Sequence, residues 1–270
     1  MHVGFIGLGG QGGPMARRII DAGFPTTLWA RRAASLEGFV DCDATIAGSA
    51  SELAAVSDVV CVCVVDDDGV EQVLTGDGGV LSGIRPGSII VVHSTVHPQT
   101  CYRLAQLASD AGATLVDAPV SGGGQAASER RLLVMVGGGR EEFARVLPVL
   151  GTFGDPVLHL GPLGAGQTAK ALNNLLFTAH LGTASALFEL ARSLEVDPEA
   201  LAESITHGSG RSYAFDVVGG RDFSLESFAG HVGALLAKDV GIVSSLAEGV
   251  RAAPGILFVA AESALAAMRS

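Results

Sequence analysis

Three stretches of this chain hold residues whose types and spacing can do chemistry. The first is Gly7-Leu8-Gly9-Gly10-Gln11-Gly12, which spaces its glycines as Gly-x-Gly-x-x-Gly. Gly7 permits a tight turn, and Gly9 lets the backbone approach a pyrophosphate where a side chain would fill the space. Gly12 lets the next helix pack close to the preceding strand. The N–H groups at that helix start would face the phosphates, aided by the helix dipole. A glycine-rich turn without a ligand is the bland alternative. The flanks favour the nucleotide: Val3, Phe5 and Ile6 read as a buried strand, and Met15, Ala16, Ile19 and Ile20 keep helical spacing up to Gly23. The second stretch holds Lys170 and Asn174, four apart and so on one helix face. Lys170 stands among Ala and Leu. It either meets a partner or ligand that offsets the cost of burial, or snorkels to water from the first turns. The residues alone leave both readings open. The third is Ala30-Arg31-Arg32, at the end of the second strand. An NAD-preferring site places an acid near here for the ribose 2′-hydroxyl. None is present, and forked guanidinium groups suit a 2′-phosphate. The arginines could be ordinary surface charges, but the missing acid favours NADP(H) over NAD(H).

These residues need elements to position them. Thr26–Trp29, Asp58–Val65, Ser88–Val92, Thr114–Val116, Leu132–Val136 and Val157–Leu160 read as strands. Helices are expected between them, at Ser49–Ser57, from Asp66, at Pro98–Ala111 and at Glu141–Leu150. This alternation predicts a doubly wound, mostly parallel sheet with right-handed crossovers, whose ligands sit beyond the carboxyl ends of the strands. Val65, Thr95 and Ser121 stand at such ends. After Gly161-Pro162 no convincing strand appears. Ala165–Leu194 reads as one long helix, apolar nearly all round and expected to be buried on most faces. Asp197-Pro198 opens another helix, and Gly230–Glu248 and Pro254–Met268 add two more. The expected organisation is therefore a dinucleotide-binding domain over residues 1–161 and an all-helical domain over residues 162–270.

Composition excludes several classes. The net charge of −11 argues against a nucleic-acid or acidic-membrane partner. Cys42, Cys61, Cys63 and Cys101 have neither zinc-ligand nor disulfide-framework spacing, so no metal is expected and a reducing cytoplasm is. The first residues read directly as a strand, so no signal peptide is expected. Ala165–Leu194 contains Lys170, Asn173, Asn174, His180 and Glu189, which fits a buried helix better than a membrane span.

Four stretches resemble the β-hydroxyacid dehydrogenases, the group of 3-hydroxyisobutyrate dehydrogenase and 6-phosphogluconate dehydrogenase. Gly4-Phe5-Ile6-Gly7-Leu8-Gly9 through Pro14-Met15-Ala16 resembles the cofactor motif of that family. Asp117-Ala118-Pro119-Val120-Ser121-Gly122-Gly123 resembles its substrate loop. Gly164 to Asn174 is similar to its catalytic helix, and Lys238-Asp239 to its late lysine–aspartate pair. The matches follow the family's order and span most of the chain. The resemblance implies a Rossmann domain followed by a helical one. It implies that Lys170 is the catalytic acid/base, that Asn174 binds substrate, and that Ser121, Gly122 and Gly123 hold a substrate carboxylate. It also implies that Val64, Val65 and Thr95 line the cofactor, that Lys238 closes over it near the nicotinamide, and that the chain forms a dimer or tetramer. The expected reaction interconverts a short 3-hydroxy acid and its semialdehyde or keto acid with NADP(H). An imine reductase shares this architecture but usually carries another residue at the Lys170 position, and non-catalytic relatives lose that lysine. The chain departs from the family pattern at Gln11, Val92 and Arg130-Arg131, and its residues 207–215 and His231 match no substrate-specific pattern.

Overall fold

In a computed structural model, which describes residues 1–228, 230–253 and 255–269, the chain divides into two compact units, Met1–Lys170 and Ala171–Ser270. Pro254, the expected start of the last helix, lies outside the described residues.

The first unit runs β1 (Val3–Ile6), α1 (Gly12–Asp21), β2 (Thr26–Trp29), β3 (Thr45–Ile46), α2 (Ala50–Val56), β4 (Val59–Val62), α3 (Asp67–Thr75), α4 (Val80–Gly83) and β5 (Ile89–Val92). It continues through α5 (Pro98–Asp110), β6 (Thr114–Asp117), β7 (Val120–Ser121), α6 (Gly123–Ser128), β8 (Leu132–Gly137), α7 (Arg140–Leu150) and β9 (Gly154–Gly161). Strands β1, β4 and β5 are uninterrupted apolar runs buried on both faces, as a parallel sheet covered by helices requires. Their odd and even residues feed separate cores. Val3, Phe5, Cys61 and Val91 pack with Met15 and Ile19 of α1, while Ile6, Val62 and Val92 pack with Leu53, Leu74 and Leu104.

The strands lie in the order β3-β2-β1-β4-β5-β6-β8-β7, with β9 beside β8. From β3 to β6 every pair is parallel. The register sets Trp29 beside Ile6, Ile6 beside Val62, Val62 beside Val92 and Val92 beside Asp117. Five strands therefore end on one level, and the loops carrying Gly7, Arg31, Val64, Thr95 and Ala118 leave from a common rim. This is the Rossmann arrangement, with the topological switch between β1 and β4.

The second unit contains most of α8 (Ala165–Ser193), α9 (Pro198–Thr206), α10 (Tyr213–Gly219), α11 (His231–Gly249) and α12 (Gly255–Ala267). Phe188 anchors its core, with ring centroids 5.1 Å from Phe215 and 4.8 Å from Phe223. Among the described residues beyond Gly161 there is no strand.

One expectation needs correction. Strand β4 ends at Val62, not Val65, because the Val64 N–H turns away to the Ser94 hydroxyl at 2.8 Å. The sheet is mostly parallel, as expected, with β8 running antiparallel to β6 and β7. The short elements β7 and α6 were hidden in the Ser-Gly-Gly-Gly stretch, which carries no periodicity. Helix α8 is buried or half-buried over most of its residues, as expected, but leaves Leu172, Leu176 and Leu190 exposed. The described strands end at Gly161, where the boundary is expected, and the compact division falls after Lys170. The first turns of α8 are hydrogen-bonded to the sheet.

Candidate active site

The glycine loop connects β1 to α1 at the rim. Gly7 has φ +96°, and a Cβ there would stand 2.0 Å from the Cys63 carbonyl oxygen. A Cβ on Gly12 would stand 2.0 Å from the Gly7 carbonyl oxygen. The fold itself thus demands these two glycines. Gly9 and Gly10 differ: both are exposed, and a Cβ on either would meet no protein atom within 4 Å. They leave open space at the helix start, the cradle that a pyrophosphate occupies in this motif. Leu8 is buried beneath the loop, and Gln11 precedes the first residue of α1 without capping it.

Around the loop, Arg31 and Arg32 are exposed just past the end of β2, with Arg31 Nη1 3.5 Å from Gln72 Oε1. Val64 is half-buried and Val65 61% exposed, an apolar surface at the rim. Ser94 is buried and Thr95 half-buried on the next loop.

Asp117, fully buried at the end of β6, organises the far side. Its Oδ1 accepts from the Gly164 N–H at 2.6 Å and its Oδ2 from the Gln167 N–H at 2.7 Å, so it caps α8. Burial pushes its carboxyl up to about 6, against the opposing pull of these backbone N–H groups. The Gln167 side chain, also fully buried, accepts from the Val96 N–H at 3.1 Å and donates to the Ser94 carbonyl at 2.8 Å. Lys170 follows three residues later, only 8% exposed. Beneath, the His93 ring donates from Nδ1 to the Ala118 carbonyl at 2.8 Å and lies between Phe5 and Phe153. Its Nε2 has no hydrogen-bond partner among the described residues, and burial lowers its pKa to about 4.

Ser121 closes β7, half-buried, and Gly122 and Gly123 lead into α6 at φ +131° and +77°. A Cβ on Gly122 would stand 2.8 Å from the Ala126 Cβ. Gly122 is therefore required by the turn itself, and a side chain there would distort the loop instead of only blocking a ligand. A Cβ on Gly124 would stand 2.2 Å from the Gly10 carbonyl oxygen, so the Ser121 loop lies against the glycine loop. The first unit thus brings together Gly7 to Gly12, Val64, Val65, Thr95, Ser121 to Gly123 and Lys170 at the carboxyl edge of its sheet. In the second unit, Asn174 donates to Asp239 Oδ2 at 2.5 Å, and the Lys238 ammonium lies 3.2 Å from Asp239 Oδ1. Asp239 is buried and ties these two expected ligands together. Asp117, Gln167 and Asp239 are site-building residues to which the sequence alone assigns no role. Each is a polar side chain inside an apolar strand or helix, a signal that the sequence does carry.

Residues 2–161 match the NAD binding domain of 6-phosphogluconate dehydrogenase, and residues 164–270 match the NAD-binding domain of NADP-dependent 3-hydroxyisobutyrate dehydrogenase. The chain belongs to the β-hydroxyacid dehydrogenase family. As a member of that family it is an NAD(P)-binding oxidoreductase. It is 34% identical to 2-(hydroxymethyl)glutarate dehydrogenase of Eubacterium barkeri, over 90% of this chain and 81% of that one. It is similar to the structure of Mycobacterium tuberculosis 3-hydroxyisobutyrate dehydrogenase with L-serine, with TM-score 0.85, 28% identity and coverage of 97% and 91% of the two chains. A structure of Psf3 with NADP+ and 2-OPP is similar at TM-score 0.82, 26% identity and coverage of 96% and 92%. The imine reductase of Pseudomonas sp., at 20% identity and TM-score 0.57 over 97% and 91% of the chains, shares the fold alone.

Proposed function

We propose that this dehydrogenase interconverts a short 3-hydroxy acid and its semialdehyde with NADP(H), and that Lys170 is the general acid/base. The observation that carries the reading is the buried Lys170 on the stretch of α8 that Asp117 and Gln167 fasten to the sheet rim. When bound, a nicotinamide dinucleotide supplies the hydride acceptor for oxidation and the donor for reduction. The chain's own residues do the rest. Gly9 and Gly10 leave space for the pyrophosphate. Arg31 and Arg32, with no acid beside them, take the 2′-phosphate. Ser121 and the backbone N–H groups of Gly122 and Gly123 hold the carboxylate. In oxidation the Lys170 amine accepts the hydroxyl proton as the carbinol C–H bond breaks. In reduction its ammonium returns that proton to the nascent alkoxide. Asn174, one turn along α8, orients the substrate, and Lys238 closes over the cofactor.

Relatives support the substrate class. Both 3-hydroxyisobutyrate and 2-(hydroxymethyl)glutarate carry a hydroxyl on the carbon β to a carboxylate. Residues 1–161 serve as the dinucleotide-binding domain and residues 162–270 as the substrate and oligomerisation domain. The free thiols fit a reducing cytoplasm. The test is a panel of 3-hydroxy acids, 2-hydroxy acids and cyclic imines, with each cofactor, read by reduced-nicotinamide absorbance. Turnover of 3-hydroxy acids with NADP+ is expected. Turnover confined to imines or 2-hydroxy acids overturns the reading.

A further inference from the structure

We propose that Gln167 is a positioning residue that sets the Ser94–Val96 segment, and with it Thr95, at a fixed place against the start of the Lys170 helix. The proposal rests on the roles given above to Lys170 and Thr95. Three hydrogen bonds of Gln167 each go to a different fixed point. Its backbone N–H meets Asp117 Oδ2 at 2.7 Å, its Oε1 accepts from Val96 N–H at 3.1 Å, and its Nε2 donates to the Ser94 carbonyl at 2.8 Å. The two side-chain bonds bracket Thr95 from both flanks. Because a carbonyl only accepts and an N–H only donates, the amide has one possible orientation. Ser94 extends the chain of contacts, since its hydroxyl accepts from Val64 N–H at 2.8 Å. Gln167 and Lys170 stand three apart on α8, neighbours on one face. One buried amide thus fixes the Thr95 loop relative to the base, and the Ser94 hydroxyl links it to the Val64 loop.

Such a role predicts a particular kinetic pattern. A shifted Thr95 loop changes the distance between cofactor and substrate, which affects turnover more than binding. Gln167→Met keeps length and removes both side-chain bonds, whereas Gln167→Glu keeps the acceptor for Val96. At a temperature well below unfolding, Gln167→Met is expected to lose at least about tenfold in kcat, with substrate KM changed less than about threefold. Its bound NADPH should also show an altered fluorescence emission, and Gln167→Glu should fall between it and the wild type. A lower melting temperature with unchanged kcat and unchanged emission would make Gln167 a structural tie only and overturn the proposal. Lys170→Ala, run alongside, separates the two ideas. If it retains turnover the acid/base reading fails, while the emission readout still judges Gln167. Should the variants not fold, hydrogen exchange on the wild-type holoenzyme decides. Val96 N–H must be strongly protected, and exchange at the rate of an exposed loop amide overturns the proposal.

Discussion

At the scale of single residues, Lys170 is the sharpest test of the chemistry. A general acid/base contributes about 10²–10⁴-fold. Lys170→Ala is expected to bind NADPH normally and to lose at least about 10²-fold in kcat. Lys170→Arg should fail nearly as badly, since a guanidinium does not give up its proton. Steady-state kinetics with a cofactor titration checks both. Arg31→Ala combined with Arg32→Ala should weaken NADP+ binding by about 1.5–3 kcal/mol per charged hydrogen bond removed, with NAD+ use little changed. Equal preference for the two cofactors in the wild type would refute the 2′-phosphate role. His93 makes a prediction about pH. Its folded pKa of about 4 lies below the ordinary 6.5, so above pH 6.5 the ring is neutral in both states and its contribution is intact. As pH falls from 6.5 to 4 the unfolded chain takes up a proton that the folded chain refuses, and stability drops by about 3 kcal/mol. Asp117 works in the opposite sense. Its folded value of about 6 lies above 3.8, so its contribution is present at low pH and is lost as pH rises through 6. The two slopes offset one another between pH 4 and 6. His93→Phe removes one of them. The stability difference between that variant and the wild type, from urea unfolding, should move in the variant's favour by about 3 kcal/mol between pH 6.5 and 4. A difference independent of pH would show that His93 titrates alike in the folded and unfolded states.

At the scale of elements, the contact of α6 with the glycine loop makes the proposed substrate loop and cofactor loop interdependent. Gly124→Val should force α6 off Gly10 and weaken NADPH binding as well as raising KM for the carboxylate, measured by cofactor titration and initial rates. Intact cofactor affinity would mean that the loops move independently. The elements also show what a single sequence makes legible. Strands β1, β4 and β5 announced themselves as continuous apolar runs, and the Gly-x-Gly-x-x-Gly turn could be placed because both its flanks were periodic. Strand β7 and helix α6 could not be found that way, because Ser121-Gly122-Gly123-Gly124 takes its shape from left-handed glycines and from packing against Gly10. The roles of Asp117 and Gln167 were equally out of reach. Their partners lie 47 to 73 residues away in sequence, at Gly164, Ser94 and Val96. A buried acid at a strand end signals that a partner exists without saying which.

At the scale of the whole molecule, the second unit carries apolar side chains that the single chain leaves in water. Leu172, Leu176 and Leu190 on α8, and Ile256, Leu257 and Val259 on α12, are all exposed. Surfaces of this kind mark association sites. The protein is therefore expected to run as a dimer or tetramer of its 27.3 kDa chain in light scattering. Leu176→Asp with Val259→Asp should shift it toward monomer. A monomeric wild type at micromolar concentration would refute the assignment.

The four glycines of the first turn carry a consequence for how mutations in this gene would be tolerated. At Gly7 and Gly12 an added methyl group strikes backbone oxygen, so substitutions there should lower cellular abundance and activity together. At Gly9 and Gly10 the same methyl group meets no protein atom, so alanine variants should accumulate at wild-type levels while losing activity. A saturation scan scored separately for abundance and for growth would divide the motif into two glycines kept for the fold and two kept for the ligand.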